Sequence, residues 1–264
     1  MTTNKILQGD TLTKLKKIQA ESIDTIITSP PYWGLRDYGV KGQLGLEKTP
    51  EEYVEKLVKI FREAKRVLKK EGTVWLNLGD SYVGGGRAGN EGIQKWGGIE
   101  KSNNRKYGKP QPIPNTLKQK DLVGIPWRVA FALQKDGWYL RQDIIWSKPN
   151  PMPESVTDRC TKSHEYVFLL TKNPKYYYNG EAIKENTQST CIRKRSSAFR
   201  QQDEDKDLTL TTTGRNKRSV WTITTKPYKE AHFATFPEAL IEPMVLAGCP
   251  ENVCKNCWKA RERI

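Results

Sequence analysis

Between Asp24 and Trp33 the chain reads Asp-Thr-Ile-Ile-Thr-Ser-Pro-Pro-Tyr-Trp, a short apolar strand that runs straight into two prolines. Proline has no N–H, fixes its own φ and restricts the residue before it. Ser29-Pro30-Pro31 is therefore a stiff, extended peptide at the carboxyl end of a strand, and no helix or ladder is obliged to use the carbonyls of Ser29 and Pro30. In α/β sheets that end of the strands is where ligands bind. The Ser29 hydroxyl, these carbonyls and the flat ring of Tyr32 together suit a planar ring that carries an amino group, such as a nucleobase with an exocyclic NH2. The plainer reading of the same residues is a loop start followed by two packing aromatics, and the flanking sequence has to decide between them.

The flanks predict an α/β chain. Lys5 to Asp10 is expected to be a short strand ending in Gly-Asp, Thr11 to Ile18 a helix, and Ser22 to Thr28 a strand, which makes a parallel pair with Asp10 and Ser29 on one rim of the sheet. Thr49 is an N-cap, Pro50 a first helical residue and Glu52 the closing residue of a capping box. The apolar series Val54, Leu57, Val58, Phe61, Ala64 and Leu68 gives that helix its buried face, and Gly72 is expected to end it. Thr73 to Leu78 is a nearly all-apolar strand, as for one covered on both faces. Leu122 to Gln134 reads as a helix. Trp138 to Trp146 and Glu165 to Thr171 read as strands, with Tyr176 to Tyr178 a candidate third. Ser219 to Thr224 is another strand, and Ala239 to Ala247 a helix bent at Pro243 and stopped by Gly248. The order implies a mostly parallel sheet with an antiparallel hairpin at one edge.

Among 264 residues, 45 Lys and Arg stand against 30 Asp and Glu, a formal charge of +15 that points to a polyanion such as nucleic acid, or to a basic protein without one. Residues 87–120 hold eight Lys/Arg against two Glu, and so long a stretch without regular pattern reads either as a loop that orders on nucleic acid or as a solvated insertion. Residues 184–218 are similarly polar, with basic clusters at Arg193-Lys194-Arg195 and at Arg215 to Arg218 that are candidates for phosphate contact. No long apolar run and no signal-peptide pattern is present, so the expected compartment is the cytoplasm, with no membrane partner. Of the five cysteines, Cys249, Cys254 and Cys257 form Cys-x4-Cys-x2-Cys. They read as three ligands of a four-coordinate structural zinc site or as free thiols.

Taken in order, these pieces resemble the amino-group DNA methyltransferases. Thr28-Ser29-Pro30-Pro31-Tyr32-Trp33 is similar to that family's catalytic motif, Asp/Asn/Ser-Pro-Pro-Tyr/Phe, and Ser at its head is commoner in the members that methylate N4 of cytosine. Leu76-Asn77-Leu78-Gly79-Asp80-Ser81-Tyr82 and Ile145-Trp146-Ser147-Lys148-Pro149-Asn150 match further along. Ser219-Val220-Trp221 followed by His232-Phe233-Ala234-Thr235-Phe236-Pro237 resembles the cofactor-holding segment, in the permuted β-group order. The resemblance implies a Rossmann-like methyltransferase fold dependent on S-adenosyl-L-methionine, acting on double-stranded DNA by base flipping within a restriction-modification system. Adenine N6 methylation, RNA methylation and a non-catalytic DNA-binding subunit are the alternatives. It makes Ser29, Pro30, Pro31 and Tyr32 the catalytic set. Asp10, His232, Phe233, Thr235, Phe236 and Pro237 become cofactor contacts, and Trp33, Lys148, Asn150, Arg193, Lys194, Arg195, Arg215, Lys217 and Arg218 DNA contacts.

One family feature is missing. The Gly-rich cofactor loop, resembling Asp-Pro-Phe-x-Gly-x-Gly-Thr, does not follow Pro237. Gly84-Gly85-Gly86-Arg87-Ala88-Gly89 follows a different strand and lacks the acidic-Pro-aromatic lead. The fold is thus expected to be incomplete at its C-terminus with an open sheet, either because the chain is truncated or because a second chain supplies the loop and the remaining zinc ligand. The expected organisation is a catalytic core over residues 1–183 with a basic insertion at 84–120, a basic candidate target-recognition segment at 184–218, a cofactor-side helix segment at 219–248, and a partial zinc-binding segment at 249–264.

Overall fold

A computed structural model describes residues 4–35, 37–83, 117–186, 214–226 and 235–254. The described strands are β1 (Ile23–Thr28), β2 (Leu68–Leu78), β3 (Tyr139–Ser147), β4 (His164–Thr171) and β5 (Val220–Thr222). The helices are α1 (Thr11–Leu15), α2 (Pro50–Val67), α3 (Ile125–Lys135) and α4 (Glu238–Gly248), with a 3-10 turn at Glu181–Ile183. The strands form one sheet in the order β1-β2-β4-β3-β5. β1 and β2 are parallel, as are β3 and β5, while β4 runs antiparallel to both β2 and β3. The β3–β4 hairpin takes the side of the sheet beyond β2, with only the three-residue β5 outside it.

The strand pattern sorts the core into two layers. On β2, Val74, Leu76 and Leu78 face one cluster with Tyr53, Leu57 and Phe61 of α2 and Val129 and Leu133 of α3. Trp75 faces the other cluster, with Leu240, Met244 and Ala247 of α4 and Trp221 of β5. β4 divides the same way, Phe168 and Leu170 to one side and Val167 and Leu169 to the other. Strands covered on both faces read as continuous apolar runs, and β2 from Gly72 to Leu78 is buried without interruption. β1, at the edge of the sheet among the described strands, is only half-buried along its whole length.

Local signals act where the sequence placed them. Thr49 Oγ1 accepts from the Glu52 amide at 3.2 Å, and the Glu52 carboxylate reaches back to the Lys48 amide at 3.2 Å, one residue earlier than the usual capping box. The described helix α4 runs through Pro243 and ends at Gly248.

Three expected elements differ. Residues 5–10 are not a strand, and the parallel partner of β1 is β2. The isolated apolar pair Ile6-Leu7 stays exposed, too short to displace a fully apolar neighbour. Helix α2 ends at Val67, five residues before Gly72, because Leu68 turns to an extended conformation and begins β2; the register then skips from Leu68 to Thr73 across an irregularity that contains Gly72. Tyr176 to Tyr178 is a loop rather than a strand. Tyr178 stacks on Trp75, and Tyr176 is packed against the α4-side cluster, so packing rather than pairing uses the aromatic run.

Candidate active site

The topology gathers the carboxyl ends of β1, β2, β3 and β5 at one edge of the sheet. Because β4 is antiparallel, its amino end comes to the same edge: Leu78 pairs with Tyr166, Ser147 with His164, and Ser147 with Thr222. Ser29 to Trp33 leaves β1 there.

Tyr32 is the centre of this edge. Ser29 Oγ donates to Tyr32 Oη at 3.3 Å, and Tyr32 Oη lies 2.6 Å from Glu165 Oε2 and 3.2 Å from Asn77 Oδ1. A phenol has one proton to give, and the charged, shorter contact takes it, so Tyr32 donates to Glu165. The Asn77 amide is held by its other end, since Nδ2 donates to the Tyr166 carbonyl at 3.1 Å. The second carboxylate oxygen of Glu165 is ion-paired with Lys148, whose ammonium also lies over the Trp146 ring, 4.3 Å from its centroid. Burial, reinforced by the neighbouring Glu165 carboxylate, holds the Tyr32 phenol well above the ordinary tyrosine range, so it stays protonated. Burial lowers the pKa of Lys162 and of His164, which lie around the same carboxylate.

The Ser-Pro-Pro-Tyr-Trp turn is pinned from beneath. The buried Tyr53 of α2 donates to the Pro31 carbonyl at 2.8 Å, and Trp33 Nε1 donates to the Glu47 carbonyl at 3.0 Å. The buried Glu47 carboxylate in turn accepts from the Gly45 amide at 2.8 Å and pairs with Lys56 at 3.0 Å. Gly79 makes room for the ring, because a Cβ there would stand 2.6 Å from Tyr32 Cε2. Asp80, just after β2, caps α3: its carboxylate accepts from the amides of Gly124 and Ile125 at 3.0 Å each, where a carboxylate also suits the helix dipole.

The expected site residues separate into groups. Ser29, Pro30, Pro31 and Tyr32 stand together at this edge, and Lys148 joins them through Glu165. Trp33, an expected DNA contact, is 5% exposed with its indole N–H bonded, and it braces the turn from the core. Asn150 is exposed but bonded on both sides of its amide to the backbone of Thr225, at 3.2 and 3.0 Å, so it fastens the loop after β3 to the segment after β5. Arg215 and Arg218 both reach Glu185 at 3.0 Å, and Lys217 lies over Trp221, 5.1 Å from the ring centroid. Asp10 is an exposed N-cap of α1, its Oδ1 accepting from the Thr13 amide at 2.8 Å and the Thr13 hydroxyl at 2.7 Å, interactions that hold its carboxyl below the usual range. Phe236 is packed against the α4-side cluster, Pro237 is buried at the start of α4, and Thr235 is exposed. His232, Phe233, Arg193, Lys194, Arg195 and Cys257 lie outside the described residues. Cys249 and Cys254 are described, but among the described residues no three His, Cys, Asp or Glu side chains come together as a metal-binding group. The zinc expectation therefore finds no support among the described residues.

Sequence reasoning missed Glu165, Tyr53 and Glu47. Glu165 carried one signal: a charged residue at the mouth of the apolar run Tyr166 to Leu170 has to reach an ion partner at the sheet edge.

Residues 23–254 match the family model described as DNA methylase, of the N6/N4 type. Over 244 residues the chain is 48% identical to Type II methyltransferase M.Cfr9I of Citrobacter freundii, covering 92% of this chain and 72% of that protein. It is 47% identical to Type II methyltransferase M.SmaI of Serratia marcescens, covering 92% and 75%. Among solved structures, PvuII DNA methyltransferase (cytosine-N4-specific) shares the fold at a TM-score of 0.57 and 16% identity, over 93% of this chain and 70% of that one. A match over most of the chain, carried on an α/β sheet with Ser-Pro-Pro-Tyr at the carboxyl end of its first strand, means that the chain belongs to the N6/N4 DNA methylase family.

Proposed function

We propose that the protein is a Type II DNA methyltransferase that transfers the methyl group of S-adenosyl-L-methionine to the exocyclic N4 amino group of cytosine within a specific DNA sequence, as the modification partner of a restriction system. The observation that carries this reading is Ser29 at the head of Ser-Pro-Pro-Tyr, its hydroxyl proton directed to Tyr32 at 3.3 Å. With its proton committed, Ser29 Oγ presents lone pairs and acts as an acceptor for an amino N–H. The serine itself, in place of Asp or Asn, favours cytosine over adenine, in line with the cytosine-N4 specificity of the PvuII enzyme.

The chain's own residues then have three tasks. A base inside a duplex is out of reach of the sheet edge, so the target is extruded and held. Tyr32 stacks on it, an interaction worth roughly 1–3 kcal/mol. Ser29 Oγ and the Pro30 carbonyl take hydrogen bonds from its NH2, which turns the nitrogen lone pair toward the donor and draws density onto nitrogen as it attacks. The Tyr53, Glu47 and Gly79 contacts keep the turn and ring fixed, so the reaction proceeds from a prearranged geometry. Bound S-adenosyl-L-methionine supplies an electrophilic methyl on a sulfonium. The residues suited to hold it are Asp10, a carboxylate for hydroxyl or ammonium groups, the aromatic Phe236, and Thr235, Pro237, His232 and Phe233 of the same segment. Lys148, Asn150, Lys217, Arg215 and Arg218, with Arg193 to Arg195, are the basic and polar groups proposed to face the DNA backbone.

The test is transfer of tritiated methyl from the donor to duplex DNA, followed by mass spectrometry of the digested product. N4-methylcytosine is expected, with Ser29→Ala lowering transfer by about 10²-fold or more. N6-methyladenine would move the assignment to adenine, and no transfer to any DNA would overturn the enzymatic reading.

A further inference from the structure

An amino group that enters as NH2 and leaves as NH–CH3 gives up one proton. Ser29 is in place to receive it but has nowhere to keep it. The structure offers an exit. Ser29 Oγ–H points to Tyr32 Oη at 3.3 Å, and Tyr32 Oη–H points to Glu165 Oε2 at 2.6 Å. The Glu165 side chain is 16% exposed and its other oxygen is held by Lys148. We propose that Glu165 is the terminal acceptor of the proton released by methyl transfer, reached through the hydroxyls of Ser29 and Tyr32, with Lys148 holding its other oxygen in place. The inference rests on the methyl-acceptor reading of Ser29.

The step balances. The nitrogen lone pair forms the N–C bond to the methyl group, the C–S bond breaks, and its electron pair neutralises the sulfonium to a thioether. One N–H proton passes to Ser29 Oγ as the serine proton passes to Tyr32 Oη and the tyrosine proton to Glu165. The carboxylate becomes a carboxylic acid and both hydroxyls are restored.

The surroundings give the chain a direction. The Asn77 amide, fixed by its bond to the Tyr166 carbonyl, offers Tyr32 a neutral acceptor at 3.2 Å, and among the described residues the nearer, carboxylate acceptor for the phenolic proton is Glu165 at 2.6 Å. The raised pKa of Tyr32 makes a lasting phenolate unfavourable, so it conducts a proton rather than storing the charge. The charged and titratable groups around the carboxylate are Lys148 after β3, Lys162 and His164 at the start of β4, and, through Lys162, Asp80 and Glu154. The Ser29 hydroxyl and the Tyr32 ring touch the proposed substrate; Glu165 acts through the two hydroxyls.

The experiment is single-turnover methyl transfer by the natural full-length protein across pH, at saturating donor and duplex. Glu165→Gln keeps a hydrogen-bond acceptor for Tyr32 but cannot take a proton. It should lower the rate about 10²-fold, leave the Kd values for donor and DNA unchanged, and remove the fall in rate on acidification. Tyr32→Phe keeps the ring and breaks the route; it should cost a similar factor, with little further loss in the double variant. A Glu165→Gln rate within about threefold of wild type that retains its acid limb overturns the proposal. So does a Tyr32→Phe rate equal to wild type, whatever becomes of the Glu165 variant. Wild-type protein that methylates no DNA sinks the underlying reading instead, and does so before any substitution is made.

Discussion

At the proposed acceptor site, Ser29, Tyr32, Asn77, Glu165 and Lys148 come from the turn after β1, from β2, from β4 and from just after β3, and hydrogen bonds join them all. On the proposed donor side, Asp10 is an exposed helix cap and Thr235 is exposed. The contrast is between side chains from separate elements that position one another and a side chain held locally, as Asp10 is by Thr13 three residues away. A cross-linked network fixes the orientation of an acceptor ring before substrate arrives. The proposed donor-side residues Asp10 and Thr235 are exposed, as suits a ligand that brings its own hydrogen-bonding partners.

The strongest way to break this contrast is to disturb the ring without touching the network's polar atoms. A Cβ at Gly79 would sit 2.6, 3.1 and 3.3 Å from three carbons of the Tyr32 ring. Gly79→Ala should therefore displace the ring and lower methyl transfer by about 10²-fold, with a stability loss of about 1–3 kcal/mol from overpacking. Single-turnover rates and denaturant melts measure the two separately, and near-normal transfer would show that the acceptor side is not held as tightly as its hydrogen bonds imply. Gly248 at the end of α4 is the counterpart away from the acceptor network. A Cβ there would lie 2.5 Å from Thr73 Oγ1, 2.8 Å from Trp75 Nε1 and 2.9 Å from Thr25 Oγ1. Gly248→Ala should cost a similar 1–3 kcal/mol, roughly, yet leave the rate per folded molecule close to wild type.

A smaller effect sharpens the donor side. Asp10→Ala removes the cap of α1, a loss of about 1 kcal/mol, whereas Asp10→Asn caps nearly as well. If Asp10 holds the methyl donor, Asp10→Asn should weaken donor binding about tenfold with an unchanged melting curve. Isothermal titration with S-adenosyl-L-methionine or its product measures this, and unaltered affinity would confine Asp10 to helix capping.

How much of this was legible in the sequence follows the same division. Thr49, Pro50 and Glu52 announced α2 because capping is local, and the apolar run of β2 announced a strand covered on both faces. Ser29 to Tyr32 were legible because prolines restrict backbone wherever they stand. Glu165 was not, since its role depends on β4 running antiparallel and so bringing its amino end to the carboxyl ends of β1 and β2. The burial of Trp33 was not legible for the same kind of reason: the Glu47 carbonyl that binds its indole lies 14 residues away. Residues 5–10 carried a strand-like pattern, but β1 found its parallel partner in β2.

His164 gives the smallest and most specific effect. It stands beside Glu165, edge-on to Tyr166 with ring centroids 5.4 Å apart. Burial first, and then the Lys162 charge, lower its pKa below the ordinary 6.5. A group that binds its proton more weakly in the folded chain contributes stability that is fully present above the unfolded pKa and is lost as pH falls through the folded one. The wild-type melting temperature should therefore decline as pH drops below about 6.5, and His164→Asn should decline less over the same range. Thermal melts at several pH values between neutral and mildly acidic test this. Parallel curves for the two proteins would mean that the ammonium groups of Lys148 and Lys162 leave His164 no more difficult to protonate folded than unfolded, and that this edge of the acceptor network is wetter than its contacts indicate.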